Sequence, residues 1–356
     1  MEIKKTDKSN TRAKQRAREE SLDSSNMQKV ILDFPKQFQA GIKAAQNVAL
    51  KSYTFLTPPE NIIICGMGGS ALPGDILATL RPLDIFVHKS YGLPPQAGND
   101  SFIICISYSG NTEETLSAFS EALRRKLPLV AITTGGKLKE LCKKNNVPLS
   151  FIPSPYIPPR LALGVQFAAL VQILVNHNLL PESFAKELFR LGQSLKSKKL
   201  EIQGKELAKK IYQKIPIIYA PKQFRELGLI WKNSLNETAK ILAISNYFPE
   251  LNHNETVGFW KINERQISNK ELLVIILRDP EDHPRILKQM EITQDIIKKE
   301  GVEVKVIDIQ GKSKLEKIFS TVLLGFWTSY RLAMDYGVDP TPVKTIEELK
   351  QRLREK

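Results

Sequence analysis

From residue 61 onward, continuous apolar runs alternate with stretches of helical spacing. Residues 61–67, 84–88, 101–107 and 129–134 read as strands, and 101–107 (SFIICIS) has almost no polar position. A strand without apolar–polar alternation is buried on both faces, which predicts a parallel sheet covered by helices. Helices are expected to begin near Ser70 and over residues 112–126. The pattern breaks over the charged residues 194–205 and resumes with an apolar run at 215–220. Beyond it, residues 225–243, 283–299 and 315–336 have helical spacing, and 271–277 and 302–309 are strand-like. No short-period repeat is present, so the expected fold is α/β with two related domains, each a parallel sheet flanked by helices on both faces. The expected boundaries are a flexible polar extension over 1–26, a first domain over 27–195 and a second over 196–356.

Composition agrees with two globular domains. A length of 356 residues suits two domains of roughly 100–200 residues each. A hydrophobic fraction of 42% is too high for a disordered chain. The net charge of +14 favours polyanions or phosphorylated substrates without choosing between them. The basic extension lacks interleaved aromatics, so nucleic acid is not an expected partner. Cys65, Cys105 and Cys142 are odd in number and form no C-x-x-C pair, so neither a disulfide framework nor a zinc knuckle is expected. His88, His177, His253 and His283 form no close metal pair, so no metal is expected. No apolar stretch approaches the roughly 18 residues that span a bilayer, and the cytoplasm is the expected compartment.

Two loops carry candidate chemistry. Gly66-Met67-Gly68-Gly69-Ser70-Ala71 follows a strand and opens a helix. It reads either as a G-x-G-x-x-A dinucleotide turn, with Asp84 as the ribose acid, or as a phosphate site in which Ser70 and helix-start amides hold the anion. Ser107-Tyr108-Ser109-Gly110-Asn111-Thr112-Glu113 closes a second strand in the same way. Its Ser107, Ser109 and Thr112 hydroxyls suit a phosphate monoester, though the same residues also cap helices and shape turns. Two such loops at strand ends favour the phosphate site. No G-x-x-x-x-G-K-[ST] occurs, which excludes a P-loop.

Proton-transfer candidates lie in the second half. Asn236-Glu237 and Asn252-His253-Asn254-Glu255 place a carboxylate and an imidazole in polar surroundings, where they serve either as acid and base or as solvated surface groups. Arg160, after Pro158 and Pro159, is either a guanidinium aimed into a cleft or a surface arginine, and Lys350 lies among other basic residues of a C-terminal helix.

Together with Asp339-Pro340-Thr341-Pro342-Val343, these segments resemble the bifunctional phosphoglucose/phosphomannose isomerases, built from two sugar isomerase (SIS) domains, over most of the chain from about residue 27. The resemblance implies interconversion of glucose 6-phosphate and mannose 6-phosphate with fructose 6-phosphate through a cis-enediol(ate), without cofactor or metal. It implies that Gly68, Gly69, Ser70, Ser107, Ser109 and Thr112 bind the phosphate and that Glu237 moves the proton between C1 and C2. Arg160 would stabilise the enediolate, and His253 and Lys350 would open the sugar ring. Thr341 is put forward as the small polar group near C1 and C2 that dual specificity needs. A homodimer is also implied, with the histidine reaching its neighbour's site. The alternatives are an isomerase of single specificity and a non-catalytic sugar-phosphate-binding regulator. The three catalytic-type residues Glu237, His253 and Arg160 argue against the regulator.

Overall fold

The computed structural model describes residues 19–50, 58–80, 83–153, 157–260 and 268–355. The chain divides into two compact units. The first comprises Leu32–Ser197 with Lys312–Glu316; the second comprises Met1–Ile31, Lys198–Gly311 and Lys317–Lys356. The main division thus follows Ser197, where the sequence places it after residue 195.

After helix α1 (Met27–Leu32), the first unit contains α2 (Lys36–Ala45), β1 (Asn61–Cys65), α3 (Leu72–Leu80), β2 (Ile85–His88), β3 (Ser101–Ser107), α4 (Glu113–Arg124), β4 (Leu129–Thr133), α5 (Gly136–Lys144), β5 (Leu149–Phe151), α6 (Leu163–Asn176) and α7 (Glu182–Ser194). All paired strands are parallel, in the order β2-β1-β3-β4-β5. Every residue of β3 and β4 is buried, as the unbroken apolar runs require. One face of the sheet packs Ile63, Ile103 and Ala131 against Ala118, Phe119 and Ala122 of α4 and Leu138 of α5. Cys65, Cys105 and Cys142 lie in that same core as buried free thiols.

The second unit contains α8 (Ser197–Ile211), β6 (Ile215–Pro221), α9 (Arg225–Ser234), β7 (Ile244–Phe248), β8 (Leu272–Arg278), α10 (Pro284–Lys299), β9 (Glu303–Asp308), most of α11 (Lys314–Tyr336) and α12 (Lys344–Arg354). Its strands are again parallel, in the order β7-β6-β8-β9. The charged residues near 200 form α8, and the long helix expected over 225–243 ends at Ser234.

The polar extension is ordered in part. Asp23 caps α1, accepting from Met27 N at 2.6 Å and Gln28 N at 2.9 Å, and it accepts from the Tyr330 hydroxyl at 3.2 Å. Arg331 pairs with Glu19 at 3.1 Å and with Glu201. These contacts attach residues 19–26 to the second unit; residues 1–18 of the expected extension lie outside the described residues.

Candidate active site

In an open parallel sheet ligands bind beyond the carboxyl ends of the strands, where the strand order reverses. In the first unit that point lies between β1 and β3, and the two hydroxyl loops follow these two strands. They are joined directly, because Tyr108 N donates to Ser70 Oγ at 3.0 Å. Ser107 Oγ accepts from Gly110 N at 3.1 Å and donates to Thr112 Oγ1 at 3.0 Å. Thr112 is the N-cap residue of α4, yet its side chain makes no capping bond. Its hydroxyl is turned to Ser107 instead, so it does not occupy the first-turn amides of α4 as a capping threonine would. Ser109 is exposed and does shape the turn, with its Oγ accepting from Asn111 N at 3.3 Å.

Local backbone demands fix the glycines. Gly110 has φ +71°, and a Cβ there would stand 1.8 Å from Gly135 O, so the loop after β3 is pressed onto the loop after β4. Gly68 is exposed at the start of a single 3-10 turn, Gly68–Ser70, that leads into α3. Gly69 abuts a second 3-10 turn, Pro159–Leu161, which presents Arg160. Arg160 is buried, which favours the cleft reading over the surface one. The first unit therefore gathers Gly68, Gly69, Ser70, Ser107, Ser109, Thr112 and Arg160 at one end of its sheet. Asp84 precedes β2, and its carbonyl accepts from Ile62 N at 2.9 Å, so it lies at the amino end of the sheet. A ribose acid belongs at the other end, which removes the dinucleotide reading.

The four strands of the second unit repeat the order of the first four in the other sheet, but with a different occupant at the reversal point. After β8, Asp279 is buried and accepts from Lys317 Nζ at 2.8 Å and from Gln223 Nε2 at 3.4 Å. Lys317 also donates to Glu281 at 2.7 Å. Burial opposes the charged ammonium, but bonds to Asp279 and Glu281 outweigh it and hold its pKa above the ordinary value. An internal carboxylate thus faces the cation at the place where the first unit offers neutral hydroxyls.

Glu237 sits in a π-helical turn, Leu235–Ala239, that interrupts the end of α9. Such bulges re-aim side chains and recur at functional sites. The turn closes on Lys240 in the left-handed conformation, φ +60°. Lys240 Nζ donates to the Glu237 carbonyl, to Pro340 O at 3.4 Å and to Pro342 O at 2.6 Å. One ammonium therefore ties the segment of Glu237 to the loop that carries Thr341. His253 lies on a separate, exposed loop after β7. That loop is anchored on both sides of the histidine: Asn252 Oδ1 accepts from Thr293 Oγ1 at 2.8 Å, and Glu255 accepts from the Tyr219 hydroxyl at 2.7 Å and from Asn246 Nδ2. Burial, followed by the bond to Glu255, pushes the Tyr219 phenol far above its ordinary pKa and keeps it a donor. Lys350 is exposed on α12.

Sequence reading missed Lys240, Tyr219 and two buried glutamines, Gln37 and Gln166, that brace the Arg160 turn. Only Gln166 gave a signal, as an amide in the otherwise apolar first half of Leu163–Asn176. Among the described residues no cluster of three or more His, Cys, Asp or Glu is placed to hold a metal, and no helix is long and apolar enough to cross a membrane.

Two parallel sheets with a hydroxyl-lined reversal point define a SIS-type phosphosugar protein, and the comparisons agree. A family model described as bacterial phospho-glucose isomerase C-terminal SIS domain matches residues 200–353. A bifunctional phosphoglucose/phosphomannose isomerase of Caldicellulosiruptor bescii is 36% identical over 91% of this chain and 98% of its own. One of Aquifex aeolicus is 36% identical over 84% of this chain and 92% of its own. The fold is similar to that of a hypothetical protein from Thermus thermophilus, with TM-score 0.70 and 13% identity over 98% of this chain and 95% of that one. The chain belongs to the bifunctional phosphoglucose/phosphomannose isomerase family.

Proposed function

We propose that this protein interconverts glucose 6-phosphate and mannose 6-phosphate with fructose 6-phosphate by moving one proton between C1 and C2. The observation that carries the proposal is the packing of the Gly68–Ser70 turn against the turn of buried Arg160, which sets phosphate-type donors beside the backbone that presents an arginine. Ser70, Ser107, Ser109 and Thr112, with Gly68 and Gly69, receive the phosphate. Glu237 removes the proton from one carbon and returns it to the other. Arg160 stabilises the negative charge of the cis-enediolate between them. His253 and Lys350 pass protons during ring opening, and Thr341 leaves room for either configuration at C2. Aldose and ketose differ by an internal proton shift with no net oxidation, so the reaction calls for no redox cofactor.

A second copy of the chain is the proposed protein partner, and the cytoplasm the proposed compartment. Val257 and Trp260, close to His253 in sequence, are each 67% exposed, and Leu349 and Leu353 flank Lys350 with 59% and 54% exposure. Exposed apolar side chains mark a protein contact where they join into one patch, and each pair here is spaced to share a helical face. That support fits a homodimer in which His253 serves the neighbouring copy.

The test is NMR of the protein with fructose 6-phosphate in deuterium oxide, without added metal. Formation of both aldose phosphates with deuterium at C2 is expected. Glucose 6-phosphate alone would restrict the enzyme to single specificity, and binding without any product would leave a sugar-phosphate sensor.

A further inference from the structure

Gln166 is fully buried in α6, and both ends of its amide are engaged. Its Nε2 donates to Ala162 O at 3.2 Å, and its Oε1 accepts from Ser70 Oγ at 3.0 Å. The first contact settles the orientation of the amide. A carbonyl oxygen only accepts, so the NH2 end must face Ala162 and the oxygen must face Ser70. The Ser70 hydroxyl, already accepting from Tyr108 N at 3.0 Å, therefore directs its single proton to Gln166. In this arrangement it has no proton left for a phosphate.

The far end of the same amide grips the turn of Arg160. Ala162 lies two positions beyond the arginine, and the intervening Leu161 carbonyl accepts from Gln37 Nε2 at 2.8 Å. Gln37 Oε1 in turn accepts from Val165 N at 3.2 Å. Two buried glutamines thus hold consecutive carbonyls after Arg160, and only Gln166 also touches a phosphate-loop hydroxyl.

We propose that Gln166 is a positioning residue that competes with the substrate phosphate for the Ser70 proton and so couples phosphate binding to the Arg160 turn. The inference rests on the reading of Ser70 as a phosphate ligand. When a phosphate oxygen takes the proton, Gln166 Oε1 loses its donor, and a buried acceptor without a donor is costly. The amide then tilts to find another, and its hold on Ala162 O, and through it on Arg160, changes with occupancy.

Inorganic phosphate is the probe, titrated calorimetrically into the full chain as wild type, Gln166→Met, Ser70→Ala and the double variant. A merely structural glutamine would weaken binding when replaced. The coupling demands the opposite sign: Gln166→Met tightens phosphate binding by about three- to tenfold, the equilibrium weight of one neutral hydrogen bond, while kcat falls. Ser70→Ala weakens binding, and in its background Gln166→Met no longer tightens it. Should the methionine variant not fold, Gln166→Leu removes the same acceptor with a smaller side chain. Its binding must then tighten with Ser70 present and not with Ser70→Ala. Weakening or no change in the apolar variant, or equal tightening in both backgrounds, overturns the coupling alone. Unchanged binding in Ser70→Ala overturns the assignment of Ser70 and the coupling with it.

Discussion

Gly69 lies against the backbone of Arg160, so that a Cβ on Gly69 would stand 3.3 Å from Arg160 Cα and 3.1 Å from Pro159 O. Both distances are tighter than ordinary van der Waals contact, and the neighbours here are backbone atoms that cannot swing aside. Gly69→Ala must therefore push the arginine turn by a few tenths of an ångström. Misplacement of about 1 Å can cost two orders of magnitude in rate. The expected result is a fall in kcat/KM of severalfold to about tenfold with the melting temperature nearly unchanged. Steady-state kinetics beside a thermal melt would show it, and a variant with wild-type kinetics would separate Gly69 from the placement of Arg160.

Arg160 and Glu237 have separable roles in the proposed reaction. Glu237→Gln keeps the shape of the side chain but removes the base, so turnover and deuterium incorporation at C2 should vanish while calorimetric phosphate binding stays within about twofold. Arg160→Lys keeps the charge but loses the planar fork, and kcat should drop by at least about tenfold. Retention of most activity by Glu237→Gln would refute the assignment of the base.

Lys240 joins the Glu237 segment to the Thr341 loop through the carbonyls of Glu237, Pro340 and Pro342. Its aliphatic stem is dispensable but its ammonium is not. Lys240→Met should lower kcat by about tenfold with phosphate affinity intact, because the hydroxyl loops belong to the other unit. The ratio of mannose to glucose phosphate formed should shift as well, since the Thr341 loop loses its tether. An unchanged product ratio would argue against Thr341 as the group that admits both configurations.

The two-sheet fold was legible because it rests on burial. A strand such as Ser101–Ser107, buried at all seven positions, cannot be mistaken for an amphipathic one. β7 was missed for the same reason in reverse: its residues Ile244–Phe248 are largely half-buried or exposed and carry little apolar signal. The interruption of the long helix at Ser234 was invisible because a π-turn keeps helical composition while changing the backbone. Among site residues, hydroxyls and glycines announce themselves by their clustering. Tyr219 does not, since a tyrosine inside the apolar strand Ile215–Pro221 looks like core until its hydroxyl is seen on Glu255.

The bond from Tyr219 carries its own prediction. Tyr219→Phe removes one donor from Glu255 and leaves the ring in its core beside Phe248. Loss of this partly buried hydrogen bond to a carboxylate costs about 1–2 kcal/mol. Denaturant unfolding should register that loss. With the His253 loop then held by Asn246 at Glu255 and by Thr293 at Asn252, but without the tyrosine, kcat should fall severalfold without a change in phosphate affinity. Stability loss with full kcat would mean that the Glu255 anchor serves the fold and not the histidine.

His177 links pH to the stability of the first unit. Its Nε2 accepts from Leu50 N at 3.1 Å, so the ring is neutral, with its proton on Nδ1, 2.7 Å from Ile173 O. Burial lowers its pKa below the ordinary value of 6.5, partly opposed by the bond to the Ile173 carbonyl. With the folded pKa below the unfolded one, the unfolded chain binds more protons in the window between them. The stabilising contribution is therefore complete above about pH 6.5 and declines as the pH falls toward the folded value. Urea unfolding of wild type and His177→Gln across pH 5 to 8 isolates this group from the carboxylates that both proteins share. Wild type should lose its advantage over the variant as the pH drops below about 6.5, and a difference that stays constant with pH would mean that His177 is not buried in its neutral form.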